Sequence, residues 1–460
     1  MSFAAQRKRG EIAAGAFVGL CATLVAIRPG DAAKAAVCAA MIAIPVLWWM
    51  LREPARWLAL FFVSALLLPP LPVNIGDAGP HVAILFAGCG LLIGLIHFVP
   101  MRMDGLSKSL LALFAAIAAS IAMAAIYSGF EIAAASLARV LLFGISVYVF
   151  LFVRGISIPF NIVRVLFWAA VGSAVFACLD FYFQFPAPGG YGPQFIWLES
   201  GVFRRAQGVF YEASTLGNLC AFFLEMIAVA LFRPRADRPA SLLAMLAGGV
   251  ALAAALVLSY SRASLVNLAV ALLVLLWLHR KRIPVGRVLT TAVIACGAAF
   301  ALLIGIFPIF ARVYWLRISQ SFSYFGESPN AILSGRLNSW TILTQFLIAH
   351  PWHAIFGIGY KTLPYSDFIG QTAIADNTYL STLIETGIAG LAALIVWNVM
   401  VIRASYRAAR SDDAQQSFCG TWMLCFWAGQ VVQMFSADLL TYWRVLPVYM
   451  CVLALAVRRR

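Results

Sequence analysis

Apolar runs of about twenty residues recur along nearly the whole chain, and they constrain its fold more than any motif does. A bilayer core about 30 Å thick needs about 20 apolar residues for each helical span. Barrel strands would instead be about 10 residues long with alternating character. The runs are continuous, so helices are the expected spanning form. With a window of roughly 19 residues, about fourteen candidate spans emerge. They lie at 11–27, 32–51, 55–71, 81–99, 109–127, 132–153, 160–186, 208–232, 241–258, 263–279, 288–311, 379–402, 416–436 and 442–457. Only 11% of the residues are charged and 63% are hydrophobic, whereas a soluble domain carries roughly 25% charged residues. The expected fold class is an all-α integral membrane protein. It forms one polytopic domain over 1–460, with a large loop at 312–378 carrying short helices.

The formal net charge is +15. In a soluble protein that would suggest nucleic acid. Here most of the basic residues fall in alternate short loops, from Arg7-Lys8-Arg9 through Arg280-Lys281-Arg282 to Arg458-Arg459-Arg460. That is the signature of cytoplasmic loops, not of a nucleic-acid partner. Both termini are therefore expected in the cytoplasm, with the 312–378 loop on the outer side. Arg7-Lys8-Arg9 before the run from Ile12 could mimic a signal peptide, but the run is read as the first span. The nine cysteines all sit inside apolar runs, so neither a disulfide framework nor a CxxC metal site is expected. His81, His97, His279, His350 and His353 lack metal-ligand spacing and are read as surface or interfacial.

Topology does not call for the arginines on the outer side. Arg28, Arg312, Arg317 and Arg444 are as readily headgroup-facing side chains. Arg204 and Arg205 stand at a span entrance beside Gln207 and Glu212. The loop itself predicts a helix from about Arg336 to Ala349, capped by Ser334 and stopped by Pro351. Arg336, Trp340, Leu343 and Leu347 recur on one side of it. Asp376-Asn377-Thr378 precedes the next span, and an N-cap is the simplest reading of that tripeptide. Gly357 and Gly359 are read as turn glycines.

Arginines converging from separate loops suit a phosphate or diphosphate, which guanidinium groups bind bidentately. A diphosphate at a membrane surface implies a lipid-linked substrate. Displacing it needs charge neutralisation more than a strong base, and a carboxylate can take the proton of an attacking hydroxyl. No Asp-x-Asp pair lies on the outer side. Neither a metal nor any other cofactor is expected.

The motifs resemble those of the O-antigen ligase and Wzy-type polymerase superfamily, bacterial membrane glycosyltransferases of GT-C-like type. Arg205-Ala206-Gln207-Gly208-Val209-Phe210-Tyr211-Glu212 resembles its arginine motif, and Ser259-Tyr260-Ser261-Arg262 its Ser-Arg motif. Gly335-Arg336 with Trp340 and Phe356-Gly357-Ile358-Gly359 resembles the large-loop motif. Asp376-Asn377-Thr378-Tyr379-Leu380 with Glu385, Gly387 and Gly390 resembles the motif entering the next span. The resemblance implies an inverting, metal-independent transfer from an undecaprenyl-diphosphate-linked oligosaccharide to a glycan acceptor, on the periplasmic face of the inner membrane.

By that resemblance Arg205 and Arg336 hold the diphosphate, with Arg204 and Arg262 in support. Asp376 orients or deprotonates the acceptor. Glu212, Tyr360, Asn377 and Tyr379 are read as substrate-binding. A chain-length regulator and a flippase are expected partners by analogy with the family, besides the bilayer itself. Ligases that modify lipid A-core usually carry His where this chain has Asp376, which favours a polymerase of exopolysaccharide or O-antigen repeat units. A ligase is the near alternative. A flippase or transporter is the alternative of another class, for which Arg139 and Glu225 stand at mid-membrane depth; they are more simply read as a structural pair.

Overall fold

A computed structural model describes residues 44–71, 80–188, 191–198, 201–280, 312, 315–316, 319, 335–365 and 374–458. The expected spans at 11–27 and 288–311, most of that at 32–51, and the cap residue Ser334 lie outside them.

The described chain is mostly helical. In chain order it contains α1 (Arg56–Leu67), α2 (Val82–Ile96), α3 (Gly105–Gly155), α4 (Ile162–Phe183), a two-stranded antiparallel ribbon of β1 (Phe195–Leu198) and β2 (Gly201–Arg204), and α5 (Ala213–Leu231). There follow α6 (Leu242–Leu258), α7 (Arg262–His279), α8 (Arg336–Ala349), α9 (Pro351–Phe356), α10 (Thr378–Ala409), α11 (Ala414–Gln433) and α12 (Leu446–Val457). Five helices, α3, α4, α5, α7 and α10, are long and apolar enough to cross a membrane. α1, α2, α6 and α12 are shorter apolar helices. Among the described residues the protein is thus a multi-span helical one in which five helices qualify by length and composition; the count of about fourteen spans stays an expectation from the sequence. α11 does not qualify because Ser417, Thr421, Gln430 and Gln433 interrupt its apolar sequence; all four point inward and are buried.

Two of the long helices are folded. α3 holds the two expected spans 109–127 and 132–153 in one element, broken at Gly129 (φ 83°, ψ 168°). Its two arms run back along each other. Asp104 and Arg154, at opposite ends of the sequence segment, form an ion pair at 2.8 Å. Ser120 and Ser136 both bond to the backbone of Tyr360. α10 breaks at Gly387 (φ 73°, ψ −174°). Thr378 and Asn398 both reach Met434, one by its backbone N–H and the other by its side chain. Twenty residues of straight helix would span about 30 Å, so the break is a sharp fold.

The break at Gly387 also orphans the last carbonyls of the first arm of α10, as any helix end does. The N–H groups of Ile358 and Gly359 take the carbonyls of Ile384 and Glu385, both at 2.9 Å. Gly357 approaches so closely that a Cβ there would lie 2.4 Å from the Glu385 carbonyl. These glycines do more than turn the chain: they let the loop strand cap a broken helix.

The bundle has two different ends. One gathers Asp104, Arg154, Arg164, Arg233, Ser417 and Arg458: Arg164 bonds the Pro239 carbonyl at 2.9 Å, Arg233 bonds Ser417 at 2.8 Å, and Gln416 bonds the Arg458 carbonyl at 2.6 Å. The other, where α3 turns at Gly129, gathers the β-ribbon, the 357–365 loop and the 435–444 turn. The core between them includes Trp57, Trp397, Trp422 and Trp427, all fully buried.

Three sequence readings are corrected here. His81 is not at the surface: it is buried, caps α2 by accepting from Ala83 N–H at 3.0 Å, and its Nε2 lies 2.9 Å from the Leu68 carbonyl. Burial holds its pKa down at about 4, helped by the nearby Arg444 charge. Arg444 is not headgroup-facing but buried as well. Arg139 and Glu225 do not pair. Arg139 donates to the Lys361 carbonyl at 2.8 Å, whereas Glu225 is buried within α5 beside Cys425.

Candidate functional site

A cavity of roughly 1580 Å³ opens at the ribbon end. Its polar wall includes Arg205, Glu212, Arg336, Lys361, Asp376, Glu385 and Asp438, contributed by segments spread over more than two hundred residues of sequence. Its apolar wall comes from α2 and the second arm of α3, with Ile84, Leu91, Leu142 and Ile145.

Arg205 is placed by the end of α6. The N–H of Ala206 takes the Leu258 carbonyl at 2.9 Å, and Arg205 Nε takes that of Ser259 at 2.8 Å. Both carbonyls are orphans of the helix C-terminus. Among the described residues the two terminal nitrogens of Arg205 have no hydrogen-bonding partner. Its pKa is lowered, chiefly by burial; Tyr442 and Glu212 oppose this, and the charges of Arg336 and Arg262 add to the lowering.

The rest of that motif is stapled in place. Gln207 Nε2 donates to the carbonyls of Gly192 (3.1 Å) and Tyr211 (3.0 Å). Arg444 donates to Ala65 (2.8 Å), Val209 (2.6 Å) and Leu68 (2.6 Å), and lies over the Phe210 ring. Burial lowers its pKa to about 9. Glu212 occupies the N-cap position of α5 without capping it; its Oε2 accepts from Thr215 Oγ1 at 2.6 Å. Burial raises its pKa above the ordinary value, and Arg205 only partly offsets this.

Arg336 opens α8 after Gly335, which takes the cap position expected of Ser334. Its Nε bonds Asp376 Oδ2 at 3.2 Å, and among the described residues its terminal nitrogens are likewise without partners. Trp340 Nε1 bonds the Ala375 carbonyl at 2.7 Å, and Leu343 buries against Ile358 and Ile384. These contacts bring the helix start beside Asp376. Asn377, not Asp376, is the cap of α10, accepting from Tyr379 and Leu380 N–H. Asp376 has φ 42°, a conformation in which Asp is tolerated better than most residues.

The structure therefore gathers Arg205, Glu212, Arg336, Tyr360 and Asp376 on one cavity. The other sequence candidates stand elsewhere. Arg204 turns onto Asp180 at 3.3 Å. Arg262 is off the lining, though near enough to feel the charge of Arg336. Asn377 serves the helix end. Tyr379 bonds the Val431 carbonyl at 3.0 Å. Tyr360 touches the cavity but is almost wholly buried, with its hydroxyl toward the Leu440 carbonyl at 3.3 Å.

Sequence reasoning missed one group. Lys361 pairs with Asp438 and, at 3.5 Å, with Glu385. Ser381 Oγ also reaches Asp438, at 3.3 Å. Burial alone would lower the Lys361 pKa, but the two carboxylates win and raise it, so the ammonium is fixed. Asp438 is the lone acidic residue between α11 and α12, which was the signal that could have flagged it.

The family model described as O-Antigen ligase matches residues 247–395 of this chain. That stretch holds Arg262, Arg336, Lys361, Asp376 and Glu385, and leaves Arg205, Glu212 and Asp438 outside. No curated protein matches the chain.

Proposed function

We take as premise that this chain belongs to the O-antigen ligase and Wzy-type superfamily, and propose that it polymerises undecaprenyl-diphosphate-linked oligosaccharide repeat units at the periplasmic face of the inner membrane. The family makes it a membrane glycosyltransferase of polysaccharide; the finer reading is ours. The observation that carries it is the pair Arg205 and Arg336. Each is anchored through Nε, and each offers two terminal nitrogens to the same cavity. That is the geometry for binding a diphosphate bidentately.

In this reading the donor enters with its diphosphate between the two guanidinium groups, and Arg262 adds charge from behind. The acceptor hydroxyl oxygen attacks the anomeric carbon. The carbon–oxygen bond to the diphosphate breaks, and its electron pair leaves on the phosphate oxygen, where the arginines stabilise it. The hydroxyl proton passes to Asp376, whose Oδ2 is steered by Arg336. Inversion follows from a single displacement. Asp376 in place of His is what favours repeat-unit polymerisation over ligation to lipid A-core.

The glycan profile of a deletion strain tests this. Loss of chains longer than one repeat unit supports the polymerase. Long chains retained on the carrier indicate a ligase instead, and flux of lipid-linked sugar without new glycosidic bonds indicates a flippase.

A further inference from the structure

Four carboxamides meet inside the bundle, away from the cavity. Asn218 of α5, Asn267 of α7, and Gln430 and Gln433 of α11 are all buried. Asn218 Nδ2 donates to Gln430 Oε1 (2.8 Å) and Gln433 Oε1 (2.7 Å). Asn267 Nδ2 donates to the same two oxygens, at 3.2 and 2.8 Å. Tyr449 of α12 adds its hydroxyl on Asn218 Oδ1. One polar layer thus ties four helices together.

Two glycines let the backbones come this close. A Cβ at Gly429 would lie 2.2 Å from Asn267 Oδ1, and one at Gly217 would lie 2.9 Å from both Ser261 Cβ and Ser264 Oγ. Small residues at helix interfaces, with amides bonding across them, are a usual way for helices to associate in lipid.

The placement of the layer is informative. Each helix it ties has a charged residue of the ribbon end close by in sequence: Glu212 before Asn218, Arg262 before Asn267, Asp438 after Gln433, and Arg444 before Tyr449, each within six residues; all but Arg262 line the cavity. Six residues of helix rise about 9 Å, which sets the scale for Glu212 and Arg262; Asp438 and Arg444 lie in the turn that joins α11 to α12. The layer thus stands a few residues from the site on all four elements. In lipid such amide bonds add little to association, so their value lies in register. Asn267 Oδ1 and Gln430 Nε2 are buried without partners among the described residues, but the four amide–amide bonds share two acceptor oxygens, so a slip of one helix along another would break several of them together.

We propose that the Asn218–Asn267–Gln430–Gln433 layer is a positioning device. It fixes the relative height of α5, α7, α11 and α12, and with it the spacing of Glu212, Asp438 and Arg444 around the cavity and of Arg262, which stands off the lining. Its effect on turnover rests on the proposed glycosyl transfer; its effect on geometry does not.

The test replaces Asn218, Asn267 and Gln433 by Leu, singly and in pairs, in protein reconstituted in nanodiscs. Melting temperature stays close to that of the parent. Backbone amide exchange at 374–381 and 434–442, where Thr378 N–H bonds the Met434 carbonyl and Leu439 N–H bonds Thr378 Oγ1, accelerates at least about tenfold as local opening becomes easier. With lipid-linked repeat units, kcat falls on the order of 10²-fold, the effect of about 1 Å of misplacement, while KM for the donor changes little. The swapped pair Asn267→Gln with Gln433→Asn recovers part of both. Should the leucine variants fail to accumulate, Asn267→Ser and Gln433→Ser carry the same measurement. Unchanged exchange in the amide-free variants overturns the proposal, and so does a swapped pair no better than the double leucine variant. Altered exchange in a protein whose parent transfers no glycan would sink the glycosyltransferase reading and leave the positioning role standing.

Discussion

Arg154 at one end of the bundle and Arg205 and Arg336 at the other are used in opposite ways. At the basic end Arg154 gives both terminal nitrogens to Asp104, at 2.9 and 2.8 Å, and a further contact to Ser107. Burial would push Asp104 up, but these bonds prevail and hold its carboxyl below the ordinary value. At the cavity end Arg205 and Arg336 spend, among the described residues, only Nε on the protein. Arg444 shows that the contrast is not one of location alone. It lies at the cavity end, yet all three of its nitrogens are committed to backbone carbonyls. An arginine spent on its own fold closes the helix bundle. Arg205 and Arg336 differ in facing the cavity with their forks uncommitted among the described residues; Arg164, held through Nε at the basic end, lines no such cavity.

The sharpest way to break this contrast is to remove the forks. Arg205→Ala and Arg336→Ala are each expected to lower kcat on the order of 10²–10³-fold, as losing one transition-state donor does, while the purified proteins melt near the parent temperature. Full turnover on lipid-linked repeat units in either variant would refute the assignment. Asp376→Asn comes next, with a loss of up to about 10²-fold. Parent-like rates there would leave Asp376 only the task of aiming Arg336.

The opposite pattern is expected for Arg154→Met. It breaks charged hydrogen bonds contributing about 1.5–3 kcal/mol each at most, discounted because Asp104 is half exposed. Folded yield and melting temperature fall, while kcat per folded molecule stays put. A variant that is stable but inactive would erase the distinction between the two ends.

The smallest effect is at Glu212. Burial raises its pKa above 4.5, so the folded state disfavours its ionised form. What the raised pKa contributes to stability is fully present below the unfolded value and is lost as pH rises through the folded one. Glu212→Gln is therefore expected to gain melting temperature relative to the parent as pH increases above 4.5. The difference should vanish at lower pH. A gain that grows on acidification would mean that Glu212 is stabilised as an anion instead.

The sequence made part of this legible. Continuous apolar runs announce helices for bilayer reasons, and the helix Arg336–Ala349 is readable from Trp340, Leu343, Leu347 and Pro351. Arg205, Arg336 and Asp376 could be named because charged residues are conspicuous beside hydrophobic runs. What was not legible depends on which backbone groups are left unpaired. Arg444 looks like any span-end arginine until the carbonyls of Ala65, Leu68 and Val209 converge on it. Arg204 and Arg205 are neighbours in a motif, yet Arg204 at the end of the ribbon turns to Asp180 and Arg205 just beyond it to the Ser259 carbonyl. Lys361 and Asp438, far apart in sequence, meet only because Gly387 folds α10 back.

The central claim is that Arg205 and Arg336 jointly hold a diphosphate. Its most direct test is the binding of farnesyl diphosphate, with farnesol as control, to the reconstituted parent and to the Arg205→Ala/Arg336→Ala double variant. The parent is expected to bind the diphosphate and not the alcohol, and the double variant to bind it at least about 10²-fold more weakly, as the loss of two charged bidentate contacts implies. Equal affinity in the two proteins would contradict it.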